Sequence, residues 1–586
     1  MIYHFIYSIG LLLLYWIIGN IIVKENQILK IPAGVAITAF LFQFIPLTKI
    51  FIFSFLVVSF FIFIYRLKRK EIYFPKFSKL DYLFAFMFLY LLWFLSQEFY
   101  KFPGGDDFCV HSLLTYLNIE QKHRAIFYSE YLLPSFLKGQ KFLIHYPNIP
   151  HVFFAFNTIL LNLDVMKSLS IIAVFLTLIW YLGIFYLVKS LVKNQLNLIL
   201  LLSLFPFLQL YFNSIVYGAL SSTFAYSLMF FALAEFLRKN YKFEFFIFPI
   251  LFASHLTGIS WFFIGLISLY FGVCFFNRRF LKKRIKKDLK TIIFGLIFTF
   301  GLIYPNLFET IRLQNVKGEL YAYLNQNRYA FYEFIWNNIN NLSKGILLNG
   351  LSFPSNLFLF VFSLVLILIA RAYKKINLKL VFIIFWFSTS TLIFLLIPFL
   401  PVQVLTFVFP RRMISYYYSI VCLISLFVTI DFKLKINKKN TLVYFLIFLF
   451  IISFYPYLLE DYQRAIDYTS CFKERDYEAW IYIKQNSIGP ILGSDITHCM
   501  YSTGVRSFPY NLGKLSLYDD KWISYNLINS GNKSKFLSYL KEKGYKYIYV
   551  TETKCFGRKG FDLNKLKEFN FTFVYNKNGS YILEVS

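Results

Sequence analysis

Charge is scarce in this sequence of 586 residues, and negative charge is the scarcer sign. Asp, Glu, Lys and Arg make up 15% of the residues, against roughly 25% in soluble proteins. Hydrophobic residues make up 58%, and aromatic residues make up 22%. A water-soluble core cannot bury that much apolar surface. The composition therefore excludes a set of soluble domains and predicts that lipid surrounds much of the chain.

Several sequence motifs are also missing, and each absence excludes a class of chemistry. The chain has no Gly-x-x-x-x-Gly-Lys-Ser/Thr loop, no His-Glu-x-x-His pair and no Gly-x-Ser-x-Gly elbow. Four of its six cysteines, Cys109, Cys471, Cys499 and Cys555, match no zinc spacing, so we predict no metal site from them. Acidic residues are almost absent from the apolar stretches. This weighs against a proton-coupled transporter, which needs ionisable groups within the membrane.

What the sequence does contain is a series of long apolar stretches that alternate with short basic ones. Stretches of about 20 residues fit a bilayer, and their continuity predicts helices rather than barrel strands. Residues 31–65 fit either a hairpin or one broken helix, and 243–276 fit two short spans that turn at Ser254 and His255. About fourteen transmembrane helices are predicted, near residues 3–23, 31–46, 48–65, 82–98, 167–188, 196–211, 217–237, 243–256, 258–276, 290–306, 355–373, 378–400, 413–431 and 441–458.

The basic residues, which give a net charge of +30, indicate the orientation of these spans. Every basic cluster falls on the same side, which predicts a cytoplasmic location for those loops and an outer N-terminus. The charge therefore reflects topology and contact with anionic lipid rather than nucleic acid. The first span lacks a basic start and a cleavage site, so we expect it to be retained. The clusters lie at 66–70, 189–193, 238–239, 278–290, 371–375 and 433–439.

Three polar segments fall on the opposite, extracytoplasmic side: residues 99–166, 307–354 and everything after about 459. We therefore predict a polytopic domain over 1–458 in the plasma membrane and a small extracytoplasmic α/β domain over 459–586. In the tail, the pattern predicts helices at Asp476–Gln485, Lys533–Lys543 and Asp562–Phe569, strands at Pro490–Gly493 and Tyr545–Thr551, and a final hairpin that turns at Asn578-Gly579.

Four cysteines, Cys109, Cys471, Cys499 and Cys555, fall in these outer segments, where disulfides can persist. Four cysteines allow three pairings, and the sequence does not choose among them. Four free thiols are an equally open alternative.

The stretch Gly104-Gly105-Asp106-Asp107 carries the strongest indication of chemistry. The glycines predict a turn, and a helix is expected to follow through Leu117. Either aspartate would then lie at the N-cap or in the first turn, where the helix dipole keeps a carboxylate ionised. Asp107 and His111 are four residues apart and therefore share a helix face. The acids could provide a general base or hold a cation, or they could simply cap the helix.

Histidines and prolines recur further along the same outer loop. In His145-Tyr-Pro147-Asn-Ile-Pro150-His151, the prolines predict a stiff, extended segment at the membrane interface. His145 and His151 could bind phosphate or hydrogen-bond a sugar. They could equally be interfacial residues at the level of the lipid headgroups.

Three further basic or ionisable residues are expected near the same membrane face. His255 falls at the turn between two short spans, where it is either functional or merely solvated. Arg411 and Arg412 precede a late span. Their guanidinium groups suit phosphate oxygens, although they could also extend to lipid headgroups.

Together these features resemble the GT-C superfamily of glycosyltransferases, which are multi-span enzymes that use polyprenyl-phosphate-linked sugars. The likeness covers about residues 80–586, and the first three spans are additional to the usual arrangement. The Trp-Trp-Asp signature of oligosaccharyltransferases is absent, which argues against the branch that N-glycosylates proteins. The similar segments are Gly-Gly-Asp106-Asp107, Tyr146-Pro147 with His151, His255, Arg411-Arg412, and the tail segments Trp480–Asn486 and Lys543–Val550.

The resemblance implies that Asp106 or Asp107 is the catalytic base and that the donor phosphate lies at Arg411 or Arg412, alone or together with His255. It further implies a single inverting displacement.

The resemblance also implies which partners the protein has: membrane lipid, a polyprenyl-phosphate sugar donor and a glycan, lipid or protein acceptor. It leaves a divalent metal open, and the sequence specifies no cofactor. The alternative functions are a lipid or polysaccharide transporter and a non-catalytic assembly protein. The candidate substrate-binding residues are His111, His145, His151, His255, Arg411 and Arg412.

Overall fold

The computed structural model shows a mostly helical protein. It describes residues 2–24, 26–72, 106–125, 148–191, 220–238, 240–276, 288–300, 378–396, 473–486, 491–493, 517–553 and 561–585, with a few short pieces between these ranges. The spans predicted near 196–211, 355–373 and 441–458 lie outside the described residues, as do the loop 307–354 and Cys471, Cys499 and Cys555. Only isolated positions are described within 82–98 and 413–431.

The helical part follows the apolar stretches of the sequence closely. Within the described residues, α1, α3, α6 and α7 are long and apolar enough to cross a membrane. Residues 288–300 are also helical, and their exposed Ile293, Phe294 and Ile297 present an apolar outer surface. The helices are α1 (Ile2–Gly19), α2 (Gln27–Leu41), α3 (Lys49–Lys68), α4 (Asp106–Glu120), α5 (Asn148–Leu161), α6 (Val165–Leu191), α7 (Leu220–Arg238), α8 (Tyr241–Ser254), α9 (Leu256–Phe276) and α10 (Leu378–Leu396).

These helices show how two apolar stretches whose division into spans was uncertain from the sequence are divided. Residues 31–65 form the two separate helices α2 and α3, so the hairpin alternative is correct. The long stretch 243–276 is broken at His255, whose extended backbone (φ −162°) ends α8 immediately before α9 begins. The prediction of two short helices that turn at Ser254 and His255 is therefore confirmed.

Helices α1 and α2 pack backbone to backbone at two glycines. A Cβ atom on Gly19 would lie 1.7 Å from the carbonyl oxygen of Lys30, and one on Gly34 would lie 2.1 Å from the carbonyl oxygen of Tyr15. No side chain fits in that space, so glycine is needed at both positions. Such close approach through small residues is a common way for helices to associate in membranes.

We expect Gly34→Ala to destabilise the protein by about 1–3 kcal/mol, because the added methyl group forces α1 and α2 apart. Gly10→Ala is the matched control, since a Cβ there meets nothing within 4 Å. Thermal unfolding of the purified protein measures both. Equal midpoints for the two variants would show that the α1–α2 contact is not tight.

The contacts of the helical part define two ends. At the first, the Asn26 amide donates to the Tyr186 hydroxyl at 2.7 Å, and that hydroxyl donates to Glu235 at 2.6 Å. We call this the basic end, because Arg238 pairs with Glu235 there at 3.7 Å. At the opposite end, Lys49 donates to Asn162 at 3.1 Å.

The described C-terminal residues form a four-stranded sheet with helices on both faces. The strand order is β1-β2-β4-β3, with β1 parallel to β2 and the other pairs antiparallel. Most of the predicted tail elements are confirmed within a few residues, and the hairpin turns at Asn578-Gly579. The elements are α11 (Glu474–Gln485), β1 (Ile491–Leu492), α12 (Leu517–Asn529), α13 (Lys533–Lys543), β2 (Tyr547–Thr551), α14 (Leu563–Glu568), β3 (Thr572–Lys577) and β4 (Ser580–Glu584).

Strand alternation assigns each face of this sheet its own helices. Ile548 and Leu583 point to the face that packs on α12, α13 and α14. Tyr549 and Ile582 point to the other face, where the Trp480 ring of α11 lies 6.3 Å from the Tyr549 ring. Helix α11 also reaches the membrane helices, because the Tyr477 hydroxyl donates to Asp164 at 2.8 Å. The C-terminal sheet therefore lies at the end opposite the basic end.

Helix α12 was not predicted from the sequence. Its Ile523, Tyr525 and Ile528 have weaker helix propensity than straight-chain residues, so local preference does not indicate a helix there. Ile528 is buried in the core shared with α13 and α14. Tertiary packing therefore explains why this segment is helical.

Candidate functional site

Helices α4 and α5 cross in an antiparallel pair that is held by buried amides. The Asn118 amide nitrogen lies 3.2 Å from the Asn148 side-chain oxygen. Asn118 also accepts from the backbone N–H of Ala125 at 2.9 Å, and the Asn148 amide donates to the Ala125 carbonyl oxygen. These hydrogen bonds fix the end of α4 against the start of α5. They also fix the alignment of the two helices, and this determines which residues of α4 face which residues of α5.

Two histidines meet at the next contact between these helices. His111 Nδ1 lies 2.9 Å from His151 Nε2, and both side chains are buried, at 2% and 0% exposure. One of the two nitrogens must carry the proton, because two bare lone pairs or two N–H groups would repel. The Ser221 hydroxyl of α7 lies 3.4 Å from His111 Nδ1 and 3.5 Å from His151 Nε2. Three separate helices thus supply one polar cluster.

His255, at the break between α8 and α9, is half-buried and belongs to the same region. Burial holds the pKa of His111 well below its usual value, and the neighbouring charges of His151 and His255 lower it further. The His111 imidazole is therefore neutral near pH 7. A neutral imidazole can donate one hydrogen bond and accept another, so the cluster can move a proton or orient a hydroxyl.

The lowered pKa of His111 predicts a loss of stability in acid. An unfolded histidine titrates near pH 6.5, whereas folded His111 stays neutral to lower pH. Below about pH 6.5 the unfolded state thus binds a proton that the folded state excludes. The free energy of unfolding should then fall by up to about 1.4 kcal/mol per pH unit.

Thermal midpoints measured between pH 7.5 and 5 test this prediction. His111→Gln should flatten the acid slope, whatever it does to stability at pH 7.5. His123→Gln is the matched control, because it removes an exposed histidine three residues beyond the end of α4. An unchanged slope in His111→Gln would contradict the prediction.

Asp106 and Asp107 are the first two residues of α4. The predicted helix is confirmed, and it continues beyond Leu117 to Glu120. Asp107 lies one helical turn before His111 and on the same helix face. Both acids are therefore at the positive end of the helix dipole, where an ionised carboxylate is favoured. Their role in catalysis remains a prediction.

The other candidate residues fall into two groups. His111 and His151 come into contact, although they lie 40 residues apart in the sequence, and His255 is near enough for its charge to act on His111. His145, Arg411 and Arg412 lie outside the described residues. The cluster therefore contains two of the six predicted substrate-binding residues, His111 and His151.

The prediction of an extended segment through Pro150 is wrong. Helix α5 begins at Asn148, so Pro150 and His151 both lie in its first turn. Proline is tolerated there because the first N–H groups of a helix have no intrahelical acceptor. The helical backbone directs His151 into the protein rather than toward the lipid headgroups.

Sequence reasoning also missed Ser221 and the paired amides Asn118 and Asn148. A lone serine or asparagine in an apolar stretch is common, so neither carries a signal by itself. The run Ser221-Ser222-Thr223 could have been noticed, because three hydroxyl residues stand together at the start of an otherwise apolar span. All three are buried.

Imidazole nitrogens are good ligands for first-row transition metals, and the His111–His151 pair supplies two. Among the residues that the structure describes, no group of three or more His, Cys, Asp or Glu side chains could hold a metal ion.

No protein-family model matches the chain, and no curated protein matches it. Among solved structures, the chain is similar to two crystal structures of the Archaeoglobus fulgidus oligosaccharyltransferase. A complex with zinc and sulfate is 13% identical with a TM-score of 0.49, and the match covers 79% of this chain and 67% of that chain. The same enzyme tethered to an acceptor peptide containing the NVT sequon is 12% identical with a TM-score of 0.48, covering 87% and 74%. At these values the likeness assigns no substrate and no catalytic residue to this chain.

Proposed function

We propose that this protein is a membrane glycosyltransferase of the GT-C type. It moves a sugar from a polyprenyl-phosphate donor to an acceptor hydroxyl on the face of the membrane opposite the basic loops. The transfer inverts the anomeric carbon, and Asp106 or Asp107 acts as the base. The acceptor is a glycan, a lipid or a protein.

The contact between His111 and His151 supports this proposal most strongly. Each was a candidate substrate-binding residue on sequence grounds, and the two lie on separate helices. Two imidazoles and the Ser221 hydroxyl are buried together there. Burying polar groups costs free energy, and a cluster of titratable groups in a buried position is a candidate functional site.

The location of the cluster along α7 also fits an outer membrane face. Ser221 is in the first turn of α7, and Arg238, at the basic end, is its last residue. A helix rises about 1.5 Å per residue, so the two lie roughly 25 Å apart, close to the thickness of the hydrocarbon layer. The cluster and the basic loops would then face opposite sides of the membrane.

In the proposed reaction, the base removes the proton of the acceptor hydroxyl as its oxygen attacks the anomeric carbon. The bond from that carbon to the donor phosphate breaks, and the phosphate leaves with the electron pair. Arg411 or Arg412 holds the phosphate with charged hydrogen bonds. The neutral His111 imidazole can donate a hydrogen bond to a sugar hydroxyl or to a phosphate oxygen without adding charge.

Transfer of labelled sugar tests this function directly. The purified full chain is reconstituted in vesicles with a panel of polyprenyl-phosphate sugars, and transfer to added acceptor is measured. Lipid scrambling in the same vesicles is followed in parallel. Scrambling without transfer would favour the transporter alternative, and neither activity would favour an assembly protein.

We predict that Ser530 is extracytoplasmic and that Lys286 is cytoplasmic, because the basic loops share one side. Both residues are exposed, so a cysteine at either position is open to reagent on its own side of the membrane. A membrane-impermeant thiol reagent added to intact cells should label Ser530→Cys and spare Lys286→Cys. Labelling both after the cells are opened is the control. The reverse pattern in intact cells would contradict the proposed orientation.

A further inference from the structure

A buried lysine lies at the basic end of the first two helices. The Lys30 side chain is fully buried, and the described residues offer its ammonium nitrogen no hydrogen-bond acceptor. Its nearest aromatic contact is the Trp16 ring, whose centroid lies 5.1 Å from Nζ. Because Gly19 packs against the Lys30 carbonyl, the side chain leaves the backbone at the seam between α1 and α2.

Arg66 comes to the same place from the last turn of α3. Its Nη2 atom donates to the carbonyl oxygen of Ile21 at 3.3 Å. Its Nη1 atom is buried and has no hydrogen-bond partner within the described part of the chain. Ile21 is two residues beyond Gly19, against which the Lys30 backbone packs, so Lys30 and Arg66 both lie against the same end of α1.

Among the residues that the structure describes, Glu71 is the acid that pairs with cations here, and it is shared. Its carboxylate lies 3.7 Å from Lys24 Nζ and 3.9 Å from Arg66 Nε. Lys24, Lys30 and Arg66 therefore exceed the acid by two charges. Buried cations are normally paired, because an unpaired charge loses its hydration without compensation. The two unused donors, Lys30 Nζ and Arg66 Nη1, need an anion.

We propose that Lys30 and Arg66 form a binding site for a phosphate group. A guanidinium fork beside an ammonium group is a common arrangement for binding phosphate oxygens. The site is at the end of the helices where anionic lipid headgroups are expected, so the phosphate is carried by a phospholipid headgroup or is free in solution. It lies at the opposite end from the histidine cluster, and it does not depend on the proposed glycosyltransferase activity.

Such a site would give the first three helices a role of their own. A bound phosphate would bridge α2 to α3 and close the seam between α1 and α2. The bound anion would then stabilise this part of the protein, because a ligand that binds only the folded state raises the free energy of unfolding.

The test uses the full chain in a maltoside detergent, which carries no phosphate. Short-chain phosphatidylglycerol, diacylglycerol and inorganic phosphate are each titrated, and the thermal midpoint and retained lipid are measured. Phosphatidylglycerol or inorganic phosphate should raise the midpoint, and diacylglycerol should not. A response to inorganic phosphate alone assigns the site to a free anion, and a response to phosphatidylglycerol assigns it to a headgroup. Equal protection by diacylglycerol, or none by either phosphate compound, would overturn the proposal.

Substitutions distinguish phosphate binding at this site from a general effect of the basic charge at this end of the helices. Lys30→Met and Arg66→Gln should each weaken binding of the effective phosphate compound by about 10- to 100-fold. Lys68→Gln is the matched control, since it removes an exposed charge from the same end of α3 and should bind as the wild type does. Equal binding by all three variants would overturn the proposal.

A second measurement needs no ligand. Without phosphate, Lys30→Met should unfold at a higher temperature than the wild type, because the variant has no unpaired buried ammonium. A lower midpoint would mean that Lys30 has a partner within the protein, which would also overturn the proposal.

Discussion

Asp106→Asn or Asp107→Asn is expected to lower the rate of sugar transfer about 10²–10⁴-fold, the usual contribution of a positioned acid–base group. Both residues begin α4, and Asp107 lies one turn before His111. Asparagine keeps the size of the side chain and caps a helix about as well as aspartate, so folding should survive. What the variant loses is the ability to accept a proton. Transfer rate and membrane yield, measured side by side, separate catalysis from folding.

Glu120→Gln is the matched control for these variants. Glu120 is the last residue of α4, so the substitution removes one carboxylate from the same helix at its other end. It should leave the transfer rate within about twofold of the wild type, because changes to solvated surface residues away from a site are usually small. If both Asp variants retain full activity, the two acids are helix caps and the catalytic assignment is lost.

The elements of this fold could be predicted where local pattern and tertiary structure agree. The helix Lys533–Lys543 has its N-cap at Asn532 and its αL C-cap at Gly544, and both signals are visible in the sequence. The break at His255 follows from span length alone. Pro150 was misjudged because proline is a helix breaker in the interior of a helix and a helix starter in the first turn, and the sequence does not mark where α5 begins.

From the sequence, residues of the candidate site could be predicted individually, but their contacts with one another could not. His111, His151 and His255 each stood out as ionisable groups near a membrane face, but periodicity within a helix does not say which helices touch. The meeting of His111 and His151 depends on long-range contacts such as the pairing of Asn118 with Asn148. For the same reason, the Lys30–Arg66 pair could not be foreseen, because its two members lie on different helices.

Among the carboxylates that the structure describes in the C-terminal part, that of Asp476 matters most for the stability of the sheet. Its buried carboxylate accepts from the Tyr549 hydroxyl at 2.6 Å and from the Thr551 hydroxyl at 2.6 Å. It also accepts from the Thr553 hydroxyl at 2.8 Å and from the backbone N–H of Lys473 at 2.9 Å. One side chain of α11 thus ties the helix start to β2 and to the residues that follow it.

We expect Asp476→Ala to destabilise the C-terminal sheet by about 3–5 kcal/mol, because it leaves several buried donors without an acceptor. Asp562→Ala is the control. It removes an exposed carboxylate that caps α14 by accepting from two backbone N–H groups, and it should cost only about 1 kcal/mol. Hydrogen exchange of β2 and β4 in the full chain measures both effects. Fast exchange in these strands is expected for Asp476→Ala alone, because a loss of that size is much of the stability of a small domain. Equal protection in the two variants would mean that the hydroxyl groups find other acceptors, and that α11 is held on the sheet by Trp480 and its apolar neighbours instead.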